Sequence, residues 1–262
     1  VFILPGALEE RSAEIAAELA GSCFLGAGQM CTKPGLVVLV DNPAGHEFVR
    51  SLKEAFEKSE PGVLLGRGVL DRLREASNRL GRSRAEIIAG GREAGGLGFR
   101  FKATLFRLSG AGFLRQPNVF QVESFGSLCL VVLVKDVDEM KAVASALEGQ
   151  LTGTIYSHGG GLDDPAYAEL EPVLRRKVGR LLNDRMPTGV AVSPAMNHGG
   201  PFPATGHPGF TSVGMPAAML RFAALHCYDH VRPERLPAEL RDANPTGKTW
   251  RLIDGEWTRR SL

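Results

Sequence analysis

Apolar runs alternate with amphipathic stretches along most of this chain. Three continuous apolar runs have the length of strands and are bounded by glycine, proline or polar residues: 1–4, 35–40 and 127–134. Such runs are typical of strands buried on both faces of a parallel sheet. Between them, Phe48, Leu52 and Phe56 recur at every fourth position, which predicts an amphipathic helix over 44–58. The pattern predicts an α/β fold with a mostly parallel sheet flanked by helices.

The same patterns predict the remaining elements. Further helices are predicted at 8–25, 67–80, 136–149, 163–182 and 215–223. Further strands are predicted at 85–91, 99–108, 151–157 and 188–193, with a long Gly/Pro-rich loop over 194–214. Residues 249–260 read as a hairpin around Asp254-Gly255, because Asp-Gly favours a tight turn. We expect one domain over 1–240 and a tail over 241–262 that contains the hairpin.

Composition excludes several classes of partner. The chain has 262 residues, 23% of them charged, and a net charge of +2, which gives no reason to expect a nucleic acid partner. No apolar run approaches the roughly 18 residues of a membrane span, and no signal peptide is visible. We therefore expect no membrane partner and a reduced, cytoplasmic setting. Because the chain opens without Met on a strand-like run, we expect it to be part of a longer protein.

Four cysteines occur: Cys23, Cys31, Cys129 and Cys227. Their spacings match no zinc motif, so no metal is expected. Cys129 and Cys227 lie in apolar surroundings and are predicted to be buried. Cys31 differs, because glycines flank it at the junction of a predicted helix and a predicted strand. There a backbone N–H can be left free to face a ligand, and Cys31 could be a packed thiol, a metal ligand, half of a disulfide or a nucleophile.

Two further segments carry candidate chemistry. Glu123 and Phe125 come just before the buried run at 127–134, and a carboxylate there could accept hydrogen bonds from both ribose hydroxyls while the ring packs against a flat group. They could equally be a loop carboxylate and a core aromatic residue. His198 begins a shaped Gly/Pro-rich loop, although a lone histidine is more often structural than catalytic. Neither a dinucleotide-binding G-x-G-x-x-G nor a Walker motif occurs in strand–helix context.

These segments together carry a resemblance. "GQMCT" between helix and strand, "ESFG" before a buried strand, and a late Gly-rich loop, in this order, resemble the aldehyde dehydrogenase family. The stretches "VFILPGAL", "GQMCTKPGLV", "NHGGPFPAT", "FTSVG" and "WRLIDGEWTR" are similar to its 2,5-dioxovalerate (α-ketoglutarate semialdehyde) dehydrogenase branch. The resemblance covers essentially the whole chain.

The resemblance implies a mechanism and a set of roles. Cys31 would attack the aldehyde carbon to give a thiohemiacetal, hydride would pass to the nicotinamide of NADP or NAD, and water would hydrolyse the resulting thioester. The Cys31 N–H would stabilise the oxyanion. Glu123 would bind the nicotinamide ribose, Phe125 would pack at the nicotinamide end, and His198 and Phe202 would line the aldehyde's approach. It also implies a homo-oligomer built through a C-terminal strand region.

Other parts of the family pattern have no match here. The family's general base is a glutamate just ahead of the stretch that corresponds to "VFILP", and its side-chain oxyanion donor and dinucleotide-binding domain also come earlier. Glu9 and Glu10 do not replace that base, because they open a predicted helix. We therefore expect the catalytic portion of a 2,5-dioxopentanoate dehydrogenase that is inactive by itself. The alternative is a catalytically silent binding or assembly module derived from such an enzyme.

Overall fold

The structure is a computed structural model that describes residues 1–211, 213 and 216–262. Its strands are β1 (Phe2–Ile3), β2 (Leu36–Val40), β3 (Val63–Leu64), β4 (Glu86–Ala89), β5 (Phe99–Arg100), β6 (Thr104–Ser109), β7 (Leu128–Val134), β8 (Gln150–Tyr156), β9 (Val178–Asn183), β10 (Arg251–Ile253) and β11 (Glu256–Thr258). Its α-helices are α1 (Pro5–Phe24), α2 (Pro43–Lys58), α3 (Arg67–Arg82), α4 (Gly110–Arg115), α5 (Pro117–Phe120), α6 (Val137–Ser145) and α7 (Asp164–Arg175).

Seven strands form the main sheet in the order β4-β6-β7-β2-β1-β8-β9. Every neighbouring pair is parallel except β4 with β6 at one edge. Helices cover both faces because the central strands are apolar on both sides. Val37 and Leu39 of β2 pack in one cluster with α1 and α2, whereas Val38 packs on the opposite face with α3, α6 and α7. The predicted α/β fold with a mostly parallel sheet is confirmed.

Side-chain caps fix where the helices begin. Asn42 accepts a hydrogen bond from Gly45 N–H (2.7 Å) at the start of α2, and Asp136 accepts one from Glu139 N–H (2.8 Å) at α6. Asp163 acts at longer range. Its buried carboxylate accepts bonds from Gly6 N–H (2.9 Å), Ala7 N–H (2.9 Å) and His158 N–H (2.8 Å), so it ties the first turn of α1 to the loop after β8.

Two of the predicted strands and one predicted helix need correction. The helix expected over 163–182 ends at Arg175, because Val178–Asn183 extends the sheet as β9 and satisfies the free edge of β8. The strand expected at 99–108 is divided, since β5 pairs with β3 in a separate ribbon before β6 enters the main sheet. The strand expected over 188–193 does not form; the Arg180 side chain holds the carbonyls of Pro187 and Gly189 instead.

Smaller differences concern helix ends and one cysteine. The helix predicted over 136–149 stops at Ser145. Of the helix predicted over 215–223, Met215 lies outside the described residues, as do Ser212 and Gly214 of the preceding loop, and Pro216–Phe222 is a 3-10 helix. Cys129 is buried as predicted, but Cys227 is exposed, because the apolar stretch around it joins neither core cluster.

Two compact units make up the chain, Val1–Met219 and Leu220–Leu262. The second contains short 3-10 turns and the predicted hairpin, in which β10 pairs with β11. Asp254 (φ 51°) and Gly255 (φ 85°) form its turn, as the Asp-Gly pair predicts. The predicted division of domains at residue 240 stays a prediction. In the part of the chain that the structure describes, no helix has the length and apolarity needed to cross a membrane.

Candidate active site

Cys31 and Glu123, two of the candidate residues, lie at the amino ends of parallel strands. Cys31 precedes β2, Glu123 precedes β7, Gly149 precedes β8 and Lys177 precedes β9. Loops before adjacent parallel strands necessarily emerge at one edge of a sheet, so segments far apart in sequence meet there. Ligands of open α/β sheets more often bind at the opposite, carboxyl edge. Strand topology alone would therefore predict a ligand site at the opposite edge of the sheet.

Cys31 lies in a tight turn between α1 and β2. After α1, the 3-10 segment Leu25–Gly28 leads into a turn closed by a hydrogen bond from Lys33 N–H to Met30 O (3.1 Å). Cys31 holds the second position of this turn, with its side chain exposed. Its backbone N–H donates to no other residue that the structure describes. The predicted helix-to-strand junction is confirmed, and the structure places an exposed thiol and an N–H without a partner among the described residues at it.

Several contacts fix this turn in place. The Gln29 side-chain amide donates to Val63 O (3.3 Å) and its oxygen accepts from Leu65 N–H (2.8 Å), which fastens the turn to the β3 segment. Gly28 lies directly against Gly126, because a Cβ at Gly28 would stand 2.2 Å from the Gly126 carbonyl carbon. Gly28 also has a φ of 73°, so only glycine suits the position. The turn with Cys31 thus packs backbone to backbone on the Glu123–Gly126 segment.

Lys33 makes a further link between the same two segments. Its ammonium donates to Leu128 O (2.6 Å) at the start of β7. Burial lowers the pKa of Lys33, and the negative charge of Glu123 is among the groups that oppose this shift. Thr188 holds the turn from another side, because its hydroxyl donates to Thr32 O (3.3 Å) and contacts the Ser22 hydroxyl. Neither residue was singled out from the sequence; Lys33 lies two positions after Cys31, but its contact with β7 becomes visible only in the fold.

A cleft of about 460 Å³ brings three predicted residues together, since Cys31, Glu123 and Phe125 all line it. Phe125 is 41% exposed, which is inconsistent with a core aromatic residue. The buried hydroxyls of Ser124 and Thr154 also line the cleft and have no hydrogen-bond partner among the described residues. The cleft therefore offers a thiol, a carboxylate, an aromatic ring and two unpartnered hydroxyls. Such a set could hold a ligand that carries both hydroxyl groups and a flat ring.

The Gly/Pro-rich loop contributes to this cleft, but not through the predicted residues His198 and Phe202. Its backbone packs tightly on the sheet, because a Cβ at Gly149 would stand 1.9 Å from Pro201 O. Pro203 and Ala204 line the cleft. His198 is half-buried and Phe202 is 81% exposed, and both lie outside the lining of the cleft. The substrate-side roles of His198 and Phe202 stay predictions.

The other interpretations of Cys31 find no support in this geometry. All four cysteines are free, and no group of three or more metal-ligating side chains occurs within residues 1–211, 213 and 216–262. Cys23 and Cys129 are both buried, and the neighbouring Cys129 thiol, together with burial, raises the pKa of Cys23 well above its usual value, while Cys23 Sγ donates to Pro34 O (3.4 Å). These two thiols are packed core residues, whereas Cys31 is an exposed thiol in a lined cleft.

Comparisons with known proteins agree with the geometry. The model of the aldehyde dehydrogenase family matches residues 10–161. The chain is 40% identical over 256 residues to alpha-ketoglutaric semialdehyde dehydrogenase 2 of Azospirillum brasilense, covering 98% of this chain and 48% of that protein. It is 36% identical over 259 residues to alpha-ketoglutaric semialdehyde dehydrogenase of Acinetobacter baylyi, with the same coverage. The chain thus spans about half the length of these curated relatives.

Solved structures give the same fold. An NAD-dependent aldehyde dehydrogenase from Sinorhizobium meliloti superposes with a TM-score of 0.62 at 20% identity, over 76% of this chain and 38% of that one. Lactaldehyde dehydrogenase from Escherichia coli gives a TM-score of 0.62 at 20% identity, over 76% of this chain and 40% of that one. At this identity the likeness shows the fold alone.

Proposed function

The chain belongs to the aldehyde dehydrogenase family, and from this premise we propose that it is the nucleophile-bearing part of an enzyme that oxidises 2,5-dioxopentanoate to 2-oxoglutarate with NADP or NAD. One observation carries the proposal: a single cleft is lined by Cys31, Glu123 and Phe125, although Cys31 is far from the other two in sequence. The names of two relatives, 40% and 36% identical and both called alpha-ketoglutaric semialdehyde dehydrogenases, support this choice of substrate.

Each residue has a definite task in this proposal. The Cys31 thiolate attacks the aldehyde carbon, and the free Cys31 N–H donates to the oxygen that gains negative charge. Gln29, Lys33 and Thr188 hold the turn, so that sulfur and N–H keep one geometry during the attack.

The cleft also suits the nicotinamide end of the cofactor. The Glu123 carboxylate can accept hydrogen bonds from ribose hydroxyls, the exposed face of Phe125 can pack against the ring, and the unpartnered Ser124 hydroxyl lies between them in sequence. When bound, nicotinamide supplies a hydride acceptor. The task of this chain's residues is to place that ring beside Cys31.

None of the described residues that line the cleft matches the family's general-base motif. Among the described residues, the carboxylates that line the cleft are Glu123 and Glu148. A general base contributes about 10²–10⁴-fold to rate, and an oxyanion donor about 10²–10³-fold. By the family pattern both groups belong to sequence that precedes the match. We therefore expect the 262 residues, expressed by themselves, to form no reduced cofactor at a measurable rate.

A second candidate is a catalytically silent assembly module. The observation that favours it is the hairpin of the second unit, where Trp250, Leu252 and Trp257 are each more than half exposed. Apolar surface of this kind is suited to burial against another chain, and in the first candidate it would serve a homo-oligomer. The coding sequence just upstream of Val1 separates the two candidates. A continuous reading frame with a base-bearing motif supports the enzyme, and a start codon near Val1 supports the module.

The enzyme assay uses the protein encoded by the longest reading frame that contains these residues. NADH and NADPH formation is measured with 2,5-dioxopentanoate for the wild type, Cys31→Ala and the matched control Cys227→Ser, which removes the other exposed thiol. We expect turnover in the wild type and in Cys227→Ser and none in Cys31→Ala. Turnover in Cys31→Ala at the wild-type rate would reject the assignment of the nucleophile.

A further inference from the structure

A second cleft beside the Cys31 turn carries an unbalanced positive charge. We propose that this cleft, centred on Arg180, binds the carboxylate at the far end of the substrate and thereby selects oxo acids over neutral aldehydes. The identity of the substrate rests on the proposed function, whereas the anion site rests on the geometry below.

The cleft has a volume of about 860 Å³ and lies along β9 and the segment that follows it. Arg175, Arg180 and Arg185 line it, and Glu171 is the one carboxylate that the described residues contribute to the lining. Elsewhere on the chain, arginines such as Arg74 pair with carboxylates. None of the three cleft arginines forms an ion pair with any residue in the described part of the chain. Three arginines against one carboxylate leave a net positive charge in the cleft, which favours an anionic ligand.

The Arg180 side chain is held in place but only partly satisfied. Its Nη2 donates to Pro187 O (2.7 Å) and Gly189 O (3.2 Å), which fixes the plane of the guanidinium. Its Nε is buried and has no partner among the residues described, and Nη1 contacts the Met196 sulfur (3.8 Å), a weak acceptor. Because both Nη2 hydrogens are engaged, Nε–H and an Nη1 hydrogen are the donors that remain for a negatively charged acceptor such as a carboxylate oxygen.

Thr188 connects the backbone segment that Arg180 holds to the turn that carries Cys31. The carbonyls that Arg180 holds belong to the two neighbours of Thr188, and the Thr188 hydroxyl donates to Thr32 O (3.3 Å), next to Cys31. Burial lowers the pKa of Arg180; the charge of a Cys31 thiolate opposes this shift and the like charge of Arg185 adds to it. An extended five-carbon chain spans roughly 5 Å at about 1.5 Å per bond. On this proposal, a substrate whose aldehyde is attacked by Cys31 extends its carboxylate past Thr188 towards Arg180.

A purely structural role for Arg180 is the rival explanation, since its two backbone contacts also brace the 187–189 segment. Alkylation of Cys31 can distinguish an anion-binding role of Arg180 from a purely structural one. The reaction needs no cofactor and no turnover. In iodoacetate and iodoacetamide the sulfur displaces iodide, forming a C–S bond as the C–I bond breaks. The reagents differ in charge, so the ratio of their rate constants reports the anion preference beside the thiol. Bracing alone would change both rates together and leave the ratio unchanged.

The experiment uses the 262-residue chain in a Cys227→Ser background, so that Cys31 is the exposed thiol that reacts. We expect Arg180→Gln to lower the iodoacetate-to-iodoacetamide ratio about fivefold to tenfold, which equals about 1–1.4 kcal/mol. Arg180→Lys should retain most of the preference, because it keeps the charge. The matched control is Arg176→Gln, which removes the same charge from an exposed neighbour outside the cleft and should leave the ratio unchanged.

A second measurement uses 2-oxoglutarate as the probe at constant ionic strength. It should slow iodoacetamide alkylation of Cys31 in the parent chain and not in Arg180→Gln. If Arg180→Gln does not fold, Arg185→Gln and Arg180→Lys provide the comparison, with a smaller fall in the ratio expected for Arg185→Gln. An unchanged ratio in Arg180→Gln, or an equal fall in Arg176→Gln, would overturn the proposal. If Arg180→Gln lowers the ratio but the protein encoded by the longest reading frame oxidises no aldehyde, the anion site is supported and the proposed function is rejected.

Discussion

The sheet and the C-terminal hairpin reach a defined conformation for different reasons. In β7 all seven residues are buried, and the strand is fixed by parallel neighbours and helices on both faces. In the hairpin, Trp250, Leu252 and Trp257 remain largely exposed, and the conformation is specified by the Asp254–Gly255 turn. The sheet therefore depends on long-range burial, whereas the hairpin depends on local turn chemistry and leaves apolar surface available.

The largest expected effect concerns a long-range contact in the sheet region. Asp163→Ala removes a buried acceptor of three backbone N–H groups, at Gly6, Ala7 and His158. Each buried donor left unsatisfied costs about 1–3 kcal/mol, so we expect the free energy of unfolding to fall by about 3 kcal/mol or more. Denaturant unfolding measures the change. Asp164→Ala is the control, because Asp164 is exposed, and equal losses in both variants would contradict this account.

Two glycines with positive φ provide the next comparison. Gly28→Ala should cost about 3 kcal/mol, because the added Cβ meets the Gly126 backbone as well as an unfavourable φ. Gly255→Ala in the hairpin turn should cost only about 1 kcal/mol, because the space around Gly255 is open. Gly28→Ala should also change the rate of Cys31 alkylation, since it separates the turn from the Glu123 segment. Equal effects of the two substitutions on unfolding would show that the close approach to Gly126 is unimportant.

Cys129 and Cys227, which were both predicted to be buried, should differ in how much their substitution lowers the free energy of unfolding. Cys129 is completely buried in β7, so Cys129→Ala should cost about 1–2 kcal/mol through the small cavity that it leaves. Cys227 is exposed, and Cys227→Ala should change the free energy of unfolding by less than about 0.5 kcal/mol. Thermal and denaturant unfolding of the two single variants test the difference. A cost for Cys227→Ala that matches Cys129→Ala would place Cys227 in a packed environment.

Removing the hairpin should have the smallest effect on the sheet and a specific effect on assembly. Truncation after Asn244 deletes β10 and β11, which pair with each other. We expect the unfolding of the α/β unit to be unchanged and the protein of the longest reading frame to shift to a lower molar mass by light scattering. The control is Leu252→Ser with Trp257→Ser, which keeps the chain length. An unchanged mass in both variants would contradict the assembly role.

Sequence reasoning succeeded where burial determines structure and failed at edges. The central strands β2 and β7 and helix α2 follow from apolar periodicity, because both faces of these strands and one face of the helix are buried. Strand β9 was assigned to a helix, since an edge strand is only partly buried and its alternation is weak. That error also concealed Arg180, because its place in the second cleft depends on β9 joining the sheet.

The candidate site was predictable to a similar extent. Cys31, Glu123 and Phe125 were identified through motifs, and the structure places them in one cleft. Lys33 and Thr188 could not be ranked from the sequence, because their importance lies in contacts to Leu128 and Thr32 across the sheet edge. His198 and Phe202 were inferred from the loop motif, whereas Pro203 and Ala204 are the loop residues that line the cleft.

The most direct test of the central claim, that Cys31 is a nucleophile in a prepared cleft, is acylation of the 262-residue chain by p-nitrophenyl acetate. The thiolate attacks the ester carbonyl, p-nitrophenolate leaves, and the acetyl group remains on sulfur as a thioester, so no cofactor is required. We predict a rapid burst near one equivalent of p-nitrophenolate per chain in the wild type and in Cys227→Ser, with the acetyl group found on the Cys31 peptide by mass spectrometry. A burst that persists in Cys31→Ala, or that is lost in Cys227→Ser, would contradict the account.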